Sequence, residues 1–287
     1  VNSVTYDILT QRIKQLGNLP ATPSVLATLC EALSQRACKV DFEYVVENIS
    51  YDKSLTAQCL RLANSALFRQ RGEVATVREA VLALGLWRIP DLAFSCSLPL
   101  MFSNFRGPIP KEVFWRHALG TAMLAQHLAM ELCPKTHQQA YLAALLHDIG
   151  ILINAILFPE DYRDVLEQAI RDKSPIEAVE LSILGFTHAE SGRILAELWR
   201  LLVEISDVIE FHTRPNLQSV PSSDALLVQI ADNFCWRNGL GYGYELEKNN
   251  LEPIADLWGF LGSTFPKRAT TPKHSMASCS RPVWPKP

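Results

Sequence analysis

Apolar residues recur at three- and four-residue intervals along most of the chain, as in Val25, Leu26, Leu29 and Leu33 and again in Leu55, Cys59, Leu62 and Ala66. That spacing puts a single apolar stripe on a helix. Oxygen-bearing side chains stand ahead of several such runs: Thr22 before Pro23, Thr76 with Glu79, Thr136 with Gln139, Ser174-Pro175 with Glu177, and Thr187 with Glu190. Each is expected to cap a helix start, and Gly17, Gly85, Gly185 and Gly239 stand where a helix needs a residue tolerant of positive φ to finish. No stretch alternates with the two-residue period of a strand, so the fold class expected is all-α. Gly107, Pro108 and Pro110 interrupt the helical pattern. They predict two helical lobes, an N-terminal one over 1–103 and a second over 104–265. From Pro266 the chain is polar, proline-rich and aperiodic, which predicts a loose tail over 266–287.

Composition narrows the class without naming a function. The 287 residues are 48% hydrophobic and 20% charged, the proportions of a packed soluble protein. A net charge of -3 leaves no surplus to draw the chain onto nucleic acid or an anionic membrane. The seven cysteines (Cys30, Cys38, Cys59, Cys96, Cys133, Cys235, Cys279) are odd in number and never paired as C-x-x-C. They read as reduced thiols in a cytoplasmic protein. No apolar run is expected to reach the roughly 18 residues of a membrane span. The chain opens on Val1, as a fragment with a domain ahead of it would. Trp87, Trp115, Trp199, Trp236 and Trp258 are expected to anchor the core. Arg61, Arg69, Arg71 and Arg78 are expected on a solvated helix face, so nucleic acid is not an expected partner.

Chemistry enters with His147 and Asp148, adjacent in the middle of the apolar run 141–152, where the pattern predicts one continuous helix. Two ionisable groups withdrawn from water need hydrogen-bond partners or a metal. Partners are available on other predicted helices: His117 in line with Val113, Phe114, Thr121 and Leu124; His188 just after the Thr187 cap; His212 following Ile205, Val208 and Ile209; and Asp232 with Val228, Ala231 and Cys235. Taken singly, His117, His188 or His212 reads more readily as a hydrogen-bonded core histidine than as a ligand. Together, four imidazoles and two carboxylates suit a divalent metal, Zn²⁺, Fe²⁺ or Mn²⁺. His127, His137 and His274 fall outside this pattern and are expected at the surface or behind the ligands.

The order His117, His147-Asp148, His188, His212, Asp232 resembles the HD superfamily of metal-dependent phosphohydrolases. Further motifs are similar to those of the HD-related output domain, HDOD, within it: Leu19-Pro20-Ala21-Thr22-Pro23, Asp52-Lys53-Ser54-Leu55-Thr56 and Val77-Arg78-Glu79-Ala80-Val81 in the first lobe, then Leu145-Leu146-His147-Asp148-Ile149-Gly150 and Leu184-Gly185-Phe186-Thr187-His188 in the second. The resemblance covers about residues 10 to 240. It implies an output module of bacterial signalling and response-regulator systems, working through contact with protein partners such as a receiver or sensor domain, with a metal site that many members have lost. In the parent mechanism His117, His147, Asp148 and Asp232 would form one metal shell, with His188 and His212 completing a second site or holding phosphate. The superfamily's cyclic-dinucleotide phosphodiesterases usually carry lysine after His-Asp-Ile-Gly, a doubled histidine and then Gly-Tyr-Pro. This chain has Ile151, then His212-Thr213, then Arg214-Pro215-Asn216. Gly241-Tyr242-Gly243 lies beyond Asp232, too late to substitute. The resemblance therefore favours the regulatory module, with hydrolysis of a nucleotide or cyclic dinucleotide as the alternative, and assigns no catalytic residue.

Overall fold

The computed structural model describes residues 3–15, 42–51, 53–64, 72–84, 89–132, 139–215 and 222–242. Val1–Asn249 forms one compact unit and Asn250–Pro287 a second, which lies outside the described residues together with the expected tail. Among the described residues every regular element is helical, as the apolar periodicity predicts. The helices are α1 (Ser3–Gln15), α2 (Phe42–Tyr51), α3 (Lys53–Ala63), α4 (Val77–Leu84), α5 (Ile89–Met101), α6 (Lys111–Leu132), α7 (Ala140–Leu146), α8 (Ile149–Leu157), α9 (Pro159–Asp172), α10 (Ile176–Ile183), α11 (His188–Leu198), α12 (Val203–Phe211) and α13 (Ser223–Arg237).

The predicted helix over 141–152 is two helices. α7 stops at Leu146, His147 and Asp148 make a turn, and α8 starts at Ile149 with Asp148 at φ -102°, ψ 11° as its N-cap. A straight helix would carry the two side chains about 100° apart around its axis. The turn instead delivers both to one centre. The stretch Ala140–Leu157 has a mean hydropathy of 1.8, so by length and composition it does reach a membrane span, against expectation. It is 89% buried within the fold, and α7 packs on α5, α6, α12 and α13.

Two of the expected caps form. Thr76 and Glu79 exchange backbone and side-chain hydrogen bonds ahead of α4, and Thr187 and Glu190 do the same ahead of α11. One does not: α10 opens on Pro175 while Ser174 Oγ turns back to Asp172 O. Pro175, at φ -54° and ψ 135°, takes the N-cap position itself, which leaves Ser174 one residue too early to cap the helix. Gly185 (φ 80°) and Gly239 (φ 77°) take the left-handed conformation expected of them. Thr22, Thr136, Gly17 and Gly85 lie outside the described residues. Of the tryptophans and cysteines that are described, Trp115, Trp199, Cys59 and Cys235 are buried, both cysteines as free thiols. Arg61 and Arg78 are exposed.

Candidate metal centre

Helix ends deliver most of the polar side chains. His147 and Asp148 come from the α7–α8 turn, His188 is the first residue of α11, and His212 is the C-cap of α12. His117 and Asp232 project from the middles of α6 and α13. All six residues are at most 5% exposed. Close packing of α8 on α11 sets the geometry. A Cβ on Gly150 would fall 1.8 Å from the carbonyl oxygen of His188, and one on Gly192 would fall 2.7 Å from Ile209 Cγ2. Only glycines let these helices meet so closely, and the contact carries His188 to Asp148. Ser191 Oγ donates to Asn154 Oδ1 across the same interface at 2.6 Å.

The ligand atoms form two groups joined at Asp148. In the first, His147 Nε2 lies 3.1 Å from Asp148 Oδ2 and 3.7 Å from Asp232 Oδ1, while His117 Nε2 lies 3.6 Å and 3.2 Å from the same oxygens. In the second, Asp148 Oδ1 lies 3.5 Å from His188 Nε2 and 3.3 Å from His212 Nε2. Both groups could hold a metal ion. Ligands roughly 2.0–2.1 Å from a tetrahedral Zn²⁺ stand about 3.3 Å from one another, close to these separations.

The far side of each ring fixes its tautomer. Nδ1 of His117 faces Leu240 O at 2.9 Å, that of His147 faces Ala144 O at 2.6 Å, and that of His212 faces Ile209 O at 2.8 Å. Carbonyls only accept, so each Nδ1 donates and each Nε2 lone pair points into the centre. His188 Nδ1 donates to Glu180 Oε2 at 2.8 Å, as does the His188 backbone N–H, and Tyr162 Oη donates to Glu180 Oε1. The Nε2 atoms of His117 and His147 face each other at 3.3 Å. Two lone pairs at that distance need a cation between them, a proton or a metal. Burial works against charge on His147, but Asp148 and Asp232 hold its pKa at about 10. Against the same burial penalty, His147, His212 and His188 hold Asp148 well below the usual carboxylate range, and Glu180 followed by Asp148 raises His188 to about 9. The donor set thus fits a divalent cation in each position.

The structure brings all six expected residues together. His127 is exposed and takes no part; His137 and His274 lie outside the described residues. Three participants escaped the sequence. Glu180 had a signal: it shares the apolar face of Ile176, Val179 and Ile183 on α10. Trp236, expected only as a core anchor, donates Nε1 to Asp232 Oδ1. Tyr242, in a tripeptide placed too late to substitute for Gly-Tyr-Pro, donates Oη to Asp148 Oδ2 at 2.7 Å because the chain turns back after α13. Ile151, where the cyclic-dinucleotide enzymes have lysine, is buried in the core.

Residues 19–215 match the HDOD domain family. This chain belongs to the HDOD family. An HDOD domain protein of unknown function from Geobacter sulfurreducens has the same fold at a TM-score of 0.78 and 25% identity, over 93% of this chain and 90% of that one. A candidate phosphohydrolase from Shewanella amazonensis SB2B matches the HDOD fold at a TM-score of 0.66 and 23% identity, over 90% and 87%. A protein from Treponema pallidum (strain Nichols) is 26% identical over 203 residues, 69% of this chain. The chain spans 38% of that curated relative's length.

Proposed function

We propose that this HDOD chain is a regulatory output module of a bacterial signalling system, acting through contact with protein partners, and that its second lobe holds a divalent metal between α6, the α7–α8 turn, α11, α12 and α13. One observation carries the metal: six buried donors in two groups share Asp148, every imidazole held with Nε2 inward. The same burial favours a regulatory role, because ligands at most 5% exposed leave little room for a nucleotide to approach. A bound ion would act chiefly as a structural tie among five elements, adding its binding free energy to the folded state alone.

Hydrolysis is the second reading, and the shared Asp148 favours it, since two positions bridged by one carboxylate are the layout of two-metal phosphoryl chemistry. A divalent ion supplies Lewis acidity toward a phosphoryl oxygen in such sites; here His117, His147, Asp148 and Asp232 would hold one ion, and His188 and His212 a second against Asp148. Metal analysis of protein purified without chelator, followed by phosphate release from a panel of nucleotides and cyclic dinucleotides, separates the readings. Bound metal with no turnover supports the regulatory module. Turnover abolished by Asp148→Ala would replace it with the enzyme, and protein that takes up no metal would remove the metal centre.

A further inference from the structure

Beyond α13 the chain reverses at Asn238 and Gly239 and runs back along α6, where Gly120 leaves room for it: a Cβ there would fall 3.2 Å from Leu240 Cδ1. This short strap meets the first ligand group at two atoms. Leu240 O accepts from His117 Nδ1, and Tyr242 Oη donates to Asp148 Oδ2. Aromatic packing holds the tyrosine in place. Its ring stacks on Phe114 with centroids 5.6 Å apart and planes 10° apart, and meets Trp236 edge-on at 5.3 Å. The same ring lies 4.6 Å from that of His117, and the residue is 7% exposed. Trp236 Nε1 covers Asp232 Oδ1 from the same side.

We propose that Tyr242 is a plug for the first ligand group, occupying the place beside Asp148 that a phosphate or other small anion would need in order to reach a metal there. This rests on the metal reading above and adds to it the group that keeps the centre shut. Plug and metal are compatible, because a carboxylate oxygen has a second lone pair beyond the one that accepts from the phenol. The phenol ring, wedged between Phe114, Trp236 and His117, excludes anions by volume; the hydroxyl orients Asp148 toward the ion. Removing the two functions separately therefore gives different results.

The test uses the whole 287-residue chain loaded with Co²⁺, as wild type, Tyr242→Phe and Tyr242→Ala, with cobalt per chain measured first. Inorganic phosphate is then titrated against the visible cobalt spectrum, and release of cobalt to EDTA is timed. The wild type is expected to show no spectral response to millimolar phosphate and slow release. Tyr242→Phe keeps the ring, so it stays closed to phosphate but releases cobalt faster, by roughly tenfold, as expected when an oriented ligand loses its supporting donor. Tyr242→Ala is expected to respond to phosphate saturably; Tyr242→Leu, which also vacates the outer half of the ring, replaces it if the alanine variant does not fold. A saturable phosphate response in the wild type overturns the plug, as does silence in the truncated variants while their cobalt content matches wild type. Absence of cobalt from the wild type overturns the metal centre itself, and the plug with it.

Discussion

Asp148, in the turn between α7 and α8, and Asp224, in the first turn of α13, are similarly buried, 5% and 8% exposed, yet their surroundings are opposite. Asp148 accepts from Tyr242 and faces four imidazoles within 3.6 Å, and its pKa is pushed well below the usual carboxylate range. Asp224 Oδ1 has no hydrogen-bond partner among the described residues, and burial followed by repulsion from Glu204 raises its pKa to about 6. A carboxylate out of water thus supports or opposes the fold according to what faces it. The same substitution, aspartate to asparagine, is expected to have opposite signs at the two positions.

The largest effect is expected at Asp148. Asp148→Asn leaves His147, His188 and His212 facing one another without their shared anion, a loss of about 3–5 kcal/mol by analogy with broken buried ion pairs. Urea unfolding of metal-free protein measures it, and the variant should also fail to gain stability from added Zn²⁺. A loss below about 1 kcal/mol, the scale of an exposed pair, would mean that the imidazoles do not depend on Asp148. Gly150→Ala comes next. Its Cβ meets backbone atoms, the His188 carbonyl oxygen at 1.8 Å and Gly192 N at 2.8 Å, so α8 and α11 must separate. Overpacking of this kind costs about 1–3 kcal/mol, and retreat of His188 from Asp148 should weaken metal binding by roughly 10–100-fold, read by competition with a chelating dye.

Asp224→Asn should stabilise. An acid whose folded pKa lies above its unfolded value of 3.8 contributes stability that is complete below about pH 4 and lost as pH rises through about 6. That shift corresponds to roughly 3 kcal/mol at neutral pH, offset by up to about 1 kcal/mol for the favourable place of a negative charge in the first turn of a helix. The net expectation is a gain of about 2–3 kcal/mol at pH 7. Wild type and variant should have equal stability at pH 3.5 and diverge between pH 4 and 6, followed by thermal or urea melts. Divergence in the opposite sense would show that Asp224 has a cationic partner.

These contrasts also explain what the sequence made legible. Helix existence and the six inward side chains follow from periodicity, because a polar residue on an apolar stripe must go where the stripe goes. The break at His147-Asp148 was hidden, since apolar helix-forming residues continue on both sides of the pair and Asp148, though a residue type suited to an N-cap, makes no side-chain cap hydrogen bond there. Ser174 failed as a cap because the helix starts one residue later than the Ser174-Pro175 pair suggests, with Pro175 itself in the N-cap position. Tyr242 was illegible for a different reason: its role depends on the reversal at Asn238–Gly239, and turns of that kind set long-range contacts that no local pattern encodes. Asp224 stands two residues after Ser222, the N-cap of α13 whose Oγ accepts from Ala225 N–H, in a place that ordinarily favours an acid; burial is what turns it against the fold.

Glu43 supplies the third case, a carboxylate paired in water. It meets Arg78 in an ion pair whose side chains are 55% and 51% exposed, and the Arg78 guanidinium also lies 5.4 Å from the centre of the Phe42 ring. Neither charge has left solvent, so little desolvation accompanies the pair, and little attraction survives screening. Glu43→Gln should change stability by less than about 0.5 kcal/mol, and raising the salt to 1 M should erase even that. Arg78→Ala should cost more than Glu43→Gln, because it also removes the guanidinium from the Phe42 ring, and that part should persist in high salt. Urea midpoints for both variants at low and high salt separate the two contributions. If Glu43→Gln proved as costly as Asp148→Asn, burial would not be what distinguishes the carboxylates of this protein.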